Sequence, residues 1–257
     1  MEESIDIRMV TITDFHATDR NNSGTSACHN YYTVVWIENG NISMTVDNIL
    51  ISVSGTGLLF ICKNRIWSIS EAKGSRGYVI QFSTEFFCRK AADVRLLQRS
   101  VVFDVMRFID IPTQEIEAVT NIISFLHNEY IARKEFCHEI IRQQLSTLML
   151  LSERIINRRN MDNYLQQEEY KRTRIFKRLV EEHYVDLKSV SKYAELMCIS
   201  HKSLIACVSK TTGTMPKQLL NERIMLEAKR LLVYCSWSVK EISITGSVGK
   251  SSYFSNR

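Results

Sequence analysis

The residues best suited to contact a nucleic acid lie in a helix-turn-helix pattern in the last third of the chain. Leu204 and Val208 are spaced to face the interior from the second of its two helices. The side chains that this spacing directs outward, or places at the helix start, are Ser200, His201, Lys202, Ser203 and Ala206. Polar side chains at the start of such a helix bond to base edges in the major groove. The pattern therefore predicts contact with double-stranded DNA.

A second pattern of this kind begins at Ser238, after a connecting helix predicted over 217–234. The positions in it that match those of the first recognition helix are Ser251, Ser252, Ser255 and Asn256. Two such motifs would place two helices in successive segments of the major groove. The predicted phosphate contacts are Lys202, Lys217, Lys250 and the helix start at Thr214.

Charge separates this region from the rest of the chain. Residues 166–257 contain 16 Lys and Arg against 9 Asp and Glu, a net charge of +7, whereas residues 1–165 have a net charge of −2. A basic domain suits a polyanionic partner, because each cation docked on a phosphate releases condensed counterions. A solvated basic face without function is the alternative interpretation.

The N-terminal region has the alternation of a β-sheet. Strands are predicted over 32–37, 42–47, 49–53, 58–61, 66–69 and 78–82, with a hairpin at the Asn39-Gly40 turn. So many short strands predict a small barrel or jelly roll. The aromatic residues proposed to line an effector pocket are Trp36, Trp67, Tyr78 and Phe82. Aromatic side chains on strands also commonly form the core.

The periodicity changes to that of helices after Pro112. Apolar residues recur at steps of three and four, which predicts one helix from Thr113 and a second that runs toward Ile156. A helical pair in this place suits dimerisation, and packing against its own sheet is the other interpretation.

The C-terminal motifs resemble the arabinose-regulator (AraC/XylS) family of bacterial transcription factors. The matching segments include Cys198-Ile199-Ser200-His201-Lys202-Ser203-Leu204, and the others are 190–194, 212–217, 227–232, 238–242 and 251–255. Segments 35–40, 45–47 and 77–82 are similar to the cupin-type sensor barrel of many family members. The resemblance implies a dimeric regulator that senses a small-molecule effector, binds DNA and contacts RNA polymerase.

Together these features predict an α+β protein in three parts. The expected parts are a cupin-like sensor barrel over 1–110, a helical dimerisation or linker segment over 111–165, and an all-α domain with two helix-turn-helix motifs over 166–257.

The sequence departs from the family pattern in three places. Ile205 and Ala206 stand where members often have a polar residue and an arginine, and Gly246-Ser247 replaces a Leu-Gly pair. The family pattern also continues past Arg257, so the second motif is expected to be incomplete. The alternative function is then a truncated, DNA-binding-impaired remnant that acts only through dimerisation.

A cupin-type metal enzyme is the rival class, because barrels of this type also hold metal-dependent oxygenases. Such a site needs two or three converging histidines and a carboxylate. Only His16 and His29 lie in the sheet region, and neither has a histidine two residues away. We therefore predict no enzyme activity, no cofactor and no metal.

The cysteines and the N-terminus indicate the compartment. Seven cysteines without a Cys-x-x-Cys pair favour reduced thiols. The first residues are acidic where a signal peptide is basic, and no apolar run reaches the length of a membrane span. We expect a cytoplasmic protein without membrane attachment.

Overall fold

The computed structural model describes residues 6–21, 28–29, 31–47, 49–63, 65–103, 108–158 and 168–234. The chain divides into two compact units, residues 1–164 and 165–257. The first unit combines β-sheets with helices and the described part of the second is helical, so the α+β class is confirmed. No helix in these ranges has the length and apolar character needed to cross a bilayer.

The first unit contains nine strands and five helices within the described ranges. The strands are β1 (Ile7–Thr11), β2 (Cys28–His29), β3 (Tyr32–Asn39), β4 (Asn41–Val46), β5 (Ile49–Ser54), β6 (Gly57–Ile61), β7 (Arg65–Glu71), β8 (Arg76–Phe82) and β9 (Phe108–Asp110). The helices are α1 (Ile12–Asn21), α2 (Thr84–Phe87), α3 (Ala91–Arg99), α4 (Thr113–Ala132) and α5 (Cys137–Arg158). All six predicted strand regions are confirmed. Strands β1, β2 and β9 were not predicted, because their sequences show no clear alternation of apolar and polar residues.

The strands form two antiparallel sheets. Their orders are β1-β8-β3-β6-β9 and β2-β7-β4-β5. Apolar side chains from both sheets share one core, which includes Val35, Ile37, Met44, Leu59 and Trp67. No strand pair joins the sheets within the described ranges, so a closed barrel, one form of the predicted barrel or jelly roll, is not formed there. The arrangement is a two-layer sandwich.

The predicted hairpin at Asn39-Gly40 is wrong. Strand β3 pairs with β6 and β8, and β4 pairs with β5 and β7, so the two strands belong to different sheets. Because β3 already has a neighbour on each edge, β4 cannot pair with it. Gly40 has a φ of 100°, and a Cβ there would lie 2.6 Å from the Cα of Ser75. The turn is a tightly packed corner that carries the chain from one sheet to the other.

The four residues predicted to line an effector pocket do not lie together. Trp67 is buried between the sheets and stacks on Phe15, with ring centroids 5.0 Å apart. Cross-strand register places Trp36, Tyr78 and Phe82 on the opposite face of the five-stranded sheet from Val35. Trp36 and Phe82 are buried. The sheet separates Trp67 from the other three, so a single pocket formed by all four is excluded, and the bulky rings fill packed cores instead.

Helices α4 and α5 pack against each other and against the sheet. Helix α4 begins at Thr113 as predicted, and the second predicted helix corresponds to α5. Near their paired ends, Glu115 accepts from Arg158 at 2.8 Å and from Arg154 at 3.4 Å. The ring of His127 on α4 lies 4.7 Å from that of Tyr78 on β8. Packing on the sheet is thus observed, and dimerisation through this pair stays a prediction.

The second unit contains four described helices. They are α6 (Glu168–His183), α7 (Val190–Leu196), α8 (His201–Thr212) and α9 (Pro216–Tyr234). Their shared core includes Phe176, Tyr193, Leu204, Val208 and Leu220. Helices α7, α8 and α9 lie where the two helices of the first motif and the connecting helix were predicted, and their function as a DNA-binding motif stays a prediction. The second motif, from Ser238 onward, lies outside the described residues.

We predict that Gly77→Ala lowers the free energy of unfolding by about 3 kcal/mol or more. Gly77 has a φ of 147°, and a Cβ there would lie 1.9 Å from the backbone oxygen of Trp36. The matched control is Gly74→Ala, at φ 68° with no atom within 4 Å of the added Cβ. It should lower the free energy by only about 1 kcal/mol. Urea titrations of both variants measure the difference, and equal losses would contradict the prediction.

Candidate nucleic-acid interface

The turn between α7 and α8 is shaped by Cys198. This residue has a left-handed φ of 53°. The N–H of Cys198 donates to the carbonyl of Glu195 at 2.9 Å, and the N–H of Ile199 donates to that of Ala194 at 3.0 Å. These two bonds form a Schellman motif, which usually has glycine at the left-handed position. The motif ends α7 and redirects the chain into α8.

Helix α8 begins with the predicted cap. Ser200 has extended backbone geometry, and its hydroxyl accepts from the N–H of Ser203 at 3.1 Å. Leu204 and Val208 are fully buried, as predicted. The predicted contact residue Ser200 is therefore occupied in capping the helix, and its function in the structure is to fix where α8 starts.

Three of the outward residues form the exposed surface of α8. His201, Lys202 and Ala206 are exposed, and Ile205 beside them is half-buried. Lys202 has no ion pair or hydrogen-bonded side-chain partner among the described residues. An unpaired ammonium at the first turn of α8 is free to contact an anionic group.

Ser203 is less accessible than the sequence predicts. It is half-buried, and its hydroxyl accepts a hydrogen bond from Nη1 of Arg172 at 3.3 Å. Arg172 lies on α6, and its Nε is 3.7 Å from a carboxylate oxygen of Glu168. The Ser203 hydroxyl is therefore part of a contact between α6 and α8.

Two residues predicted to contact phosphates form hydrogen bonds within the second unit. Thr214 is buried, its hydroxyl lies 3.0 Å from that of Thr212, and its N–H donates to the Thr212 hydroxyl. Because both groups are occupied inside the fold, Thr214 is removed from the set of expected DNA contacts. Lys217 is exposed, and its Nζ donates to the carbonyl of Lys188 at 3.1 Å. Phosphate contact by Lys217 would require this bond to be exchanged.

The predicted contacts of the second motif lie outside the described residues. They are Lys250, Ser251, Ser252, Ser255 and Asn256. Their assignment to DNA binding stays a prediction.

Two cationic residues near the recognition helix were missed by the sequence analysis. Lys192 is exposed on α7, between the buried residues Val190 and Tyr193. Helical spacing alone was sufficient to indicate its position. Arg172 is the other, and its contact with Ser203 depends on how α6 packs on α8, which no local sequence pattern encodes.

Helix α8 is fixed to α6 at its C-terminal end. The buried hydroxyls of Thr173 and Thr211 lie 2.8 Å apart. On the surface nearby, Lys210 pairs with Glu169 at 2.9 Å, and this hydrogen bond lowers the pKa of Glu169. These contacts restrict rotation of α8, so the exposed side chains at its start keep one orientation.

A buried ion-pair network joins α6 to α9. The side chain of Arg223 is 4% exposed, and it pairs with Glu181 at 2.6 Å and with Glu227 at 3.2 Å. Its guanidinium carbon also lies 3.8 Å from the ring centre of Tyr184. Burial disfavours the charged form, but the attraction of Glu181 and its other neighbours prevails and raises the pKa of Arg223. Burial raises the pKa of Tyr184 as well.

Potential metal ligands do not cluster in the described ranges. No group of three or more His, Cys, Asp and Glu side chains there is arranged to hold an ion. In particular, His127 and His138 lie on separate helices and contact Tyr78 and Phe86 respectively.

No protein-family model matches the sequence, and no curated protein matches it either. Solved structures of ToxT from Vibrio cholerae align along most of the chain. An apo variant is 12% identical over 99% of this chain and 93% of its own, with a TM-score of 0.39. The wild-type protein bound to an unsaturated fatty acid is 14% identical over 99% and 91%, with a TM-score of 0.38. CuxR, described as an AraC-like transcriptional activator, is 12% identical over 95% and 82%, with a TM-score of 0.34.

These TM-scores and identities are too low for the alignments to assign a family, a ligand or an activity to this chain.

We predict that Arg223→Met lowers the free energy of unfolding by about 3–5 kcal/mol, because the nearly buried carboxylate of Glu181 would lose its ion pair with Arg223. The matched control is Arg178→Met, which breaks an exposed pair with Glu182 at 3.8 Å. Its effect should stay within about 1 kcal/mol. Denaturant unfolding followed by far-UV circular dichroism measures both, and a small effect of Arg223→Met would contradict the prediction.

Proposed function

We propose that this chain is a DNA-binding transcriptional regulator of the AraC type, in which α8 is a recognition helix. The observation that carries the proposal is the α7-turn-α8 arrangement, with a capped helix start and an outward face of His201, Lys202 and Ala206. The basic charge of residues 166–257 and the AraC-like sequence segments support it.

The exposed side chains of α8 would make two kinds of contact, one to phosphates and one to base edges. Lys202 is placed for a phosphate, where a cation contributes affinity that is independent of sequence. His201 has ring nitrogens that bond to a base edge or to a phosphate. The Lys192 ammonium on α7 would add a second backbone contact beside the groove.

Ala206 and Ile205 give this surface an apolar part. Neither side chain can bond to guanine, but a methyl group packs well against the methyl of thymine. We therefore propose that the first motif favours A·T pairs at the position that faces Ala206.

The remaining features of the regulator are also proposals. The first unit would sense a small-molecule effector, and two copies would associate through α4 and α5. The regulator would act with RNA polymerase in the cytoplasm, without catalytic activity.

We predict that Lys202→Ala weakens binding to duplex DNA about equally across sequences. Loss of one phosphate contact should reduce the slope of log affinity against log salt concentration by about 0.9. Fluorescence anisotropy with a randomised duplex pool, at several salt concentrations, measures both quantities.

The matched control is Lys73→Ala, which removes the same charge from an exposed turn of the first unit. It should leave the salt slope unchanged. Equal slopes for the parent and both variants would remove α8 from the DNA-binding surface.

We predict that Ala206→Arg changes sequence preference toward guanine. A bidentate arginine–guanine contact discriminates by about 1–3 kcal/mol. Selection from a randomised duplex library, followed by sequencing, measures the change at single positions. Ala118→Arg adds the same charge on the exposed side of α4, in the first unit, and should leave the base preference of the parent unchanged. Identical selected sites for the two variants would contradict the assignment of Ala206.

A further inference from the structure

A cavity of about 250 Å³ lies in the first unit beside the turn that joins α4 to α5. Asp6 and Ile7 contribute one part of its lining, at the start of β1. Tyr130 near the end of α4, Arg133 in the turn, and His138 near the start of α5 contribute another. The cavity lies within one compact unit and is separate from the DNA-binding helices.

Unpaired charges of both signs line this cavity. Arg133 and His138 come from the turn and α5, whereas Asp6 comes from the beginning of β1. No ion pair joins any of these three side chains to another residue in the described ranges. Opposite charges that share a cavity without pairing each other are available to a ligand that carries both signs.

The backbone holds the cationic part of the cavity in an uncommon conformation. Arg133 has a φ of 47°, and Phe136, three residues later, has a φ of 62°. The left-handed region costs a residue with a Cβ about 1–2 kcal/mol. Such conformations persist only where the surrounding structure enforces them, and they concentrate at ligand sites. The turn thus fixes the backbone from which the Arg133 side chain extends along the cavity.

The rest of the lining is apolar. Ile141 is 1% exposed, and Ile7 and the Tyr130 ring are half-buried. Water in liquid form occupies about 30 Å³ per molecule, so the cavity volume corresponds to roughly eight waters. A ligand of about that number of heavy atoms, with a short aliphatic part, fits the size and the lining.

We propose that this cavity binds a small aliphatic α-amino acid as its zwitterion. The carboxylate pairs with Arg133 and accepts from His138, the ammonium pairs with Asp6, and the aliphatic side chain packs on Ile7 and Ile141. This inference concerns a ligand site of the first unit, and it is independent of whether the second unit binds DNA.

The test is isothermal titration calorimetry of the full chain, without DNA, against three probes of matched shape. L-leucine carries both charges, 4-methylpentanoate lacks the ammonium, and 3-methylbutylamine lacks the carboxylate. L-leucine should bind with a measurable Kd below about 10 mM, and at least about tenfold more tightly than either of the other two probes.

Three variants locate the binding. Arg133→Gly removes the guanidinium while its backbone suits the left-handed φ, and it should weaken L-leucine at least about tenfold. Asp6→Asn should weaken L-leucine similarly and leave 4-methylpentanoate unchanged. Lys134→Ala, an exposed neighbour that does not line the cavity, should bind L-leucine like the parent.

Circular dichroism melting of each variant verifies that it folds. Three results would overturn the proposal: no heat from any probe up to about 10 mM, equal binding of L-leucine and 4-methylpentanoate to the parent, or equal L-leucine affinity of Arg133→Gly and Lys134→Ala. Because DNA is absent, none of these results depends on the proposed regulatory function.

Discussion

The buried charge of Arg223 is the constraint on which the described part of the second unit depends. A guanidinium that is removed from water is stable only where carboxylates replace its hydration, and here those carboxylates come from α6 and from α9 itself. Separation of α6 from α9 would break the Arg223–Glu181 ion pair, whereas the Arg223–Glu227 pair lies within α9. Helix α8 packs against both of them, and the Thr173–Thr211 contact fixes its rotation. The orientation of the exposed side chains at the start of α8 follows from this framework.

In the first unit, local sequence patterns predicted where the strands lie better than they predicted which strands pair with each other. The alternation around Ile42 and Met44 gave the correct strand, but the Asn39-Gly40 turn signalled a hairpin that does not form. A turn sequence specifies how the chain bends, whereas strand pairing depends on which edges are already occupied. Strand β3 is buried on both faces and paired on both edges, a condition imposed by strands far away in the sequence. Pairing between distant strands also places Trp67 on one side of the five-stranded sheet and the other three predicted pocket residues on the opposite side.

The recognition helix was more predictable, because its signals are local. The Ser200 cap, the burial of Leu204 and Val208, and the start of α9 at Pro216 all arise from residues within a few positions of one another. The contact of Arg172 with Ser203 and the burial of Thr214 arise between helices, so spacing alone could not reveal them. The cavity beside α4 and α5 was missed for the same reason, since Asp6 and Arg133 are far apart in the chain.

The left-handed turn at Cys198 also has a practical consequence for spectroscopy. Among the cysteines whose side chains the structure describes, Cys198 is exposed, Cys88 and Cys207 are buried, and Cys62 and Cys137 are half-buried. A maleimide fluorophore or a nitroxide spin label should therefore react with this thiol first. The label would be attached three residues before α8, in a turn whose backbone is held by two hydrogen bonds. The residue that redirects the chain thus provides a reporter, on a hydrogen-bonded turn, of the surroundings of the start of α8.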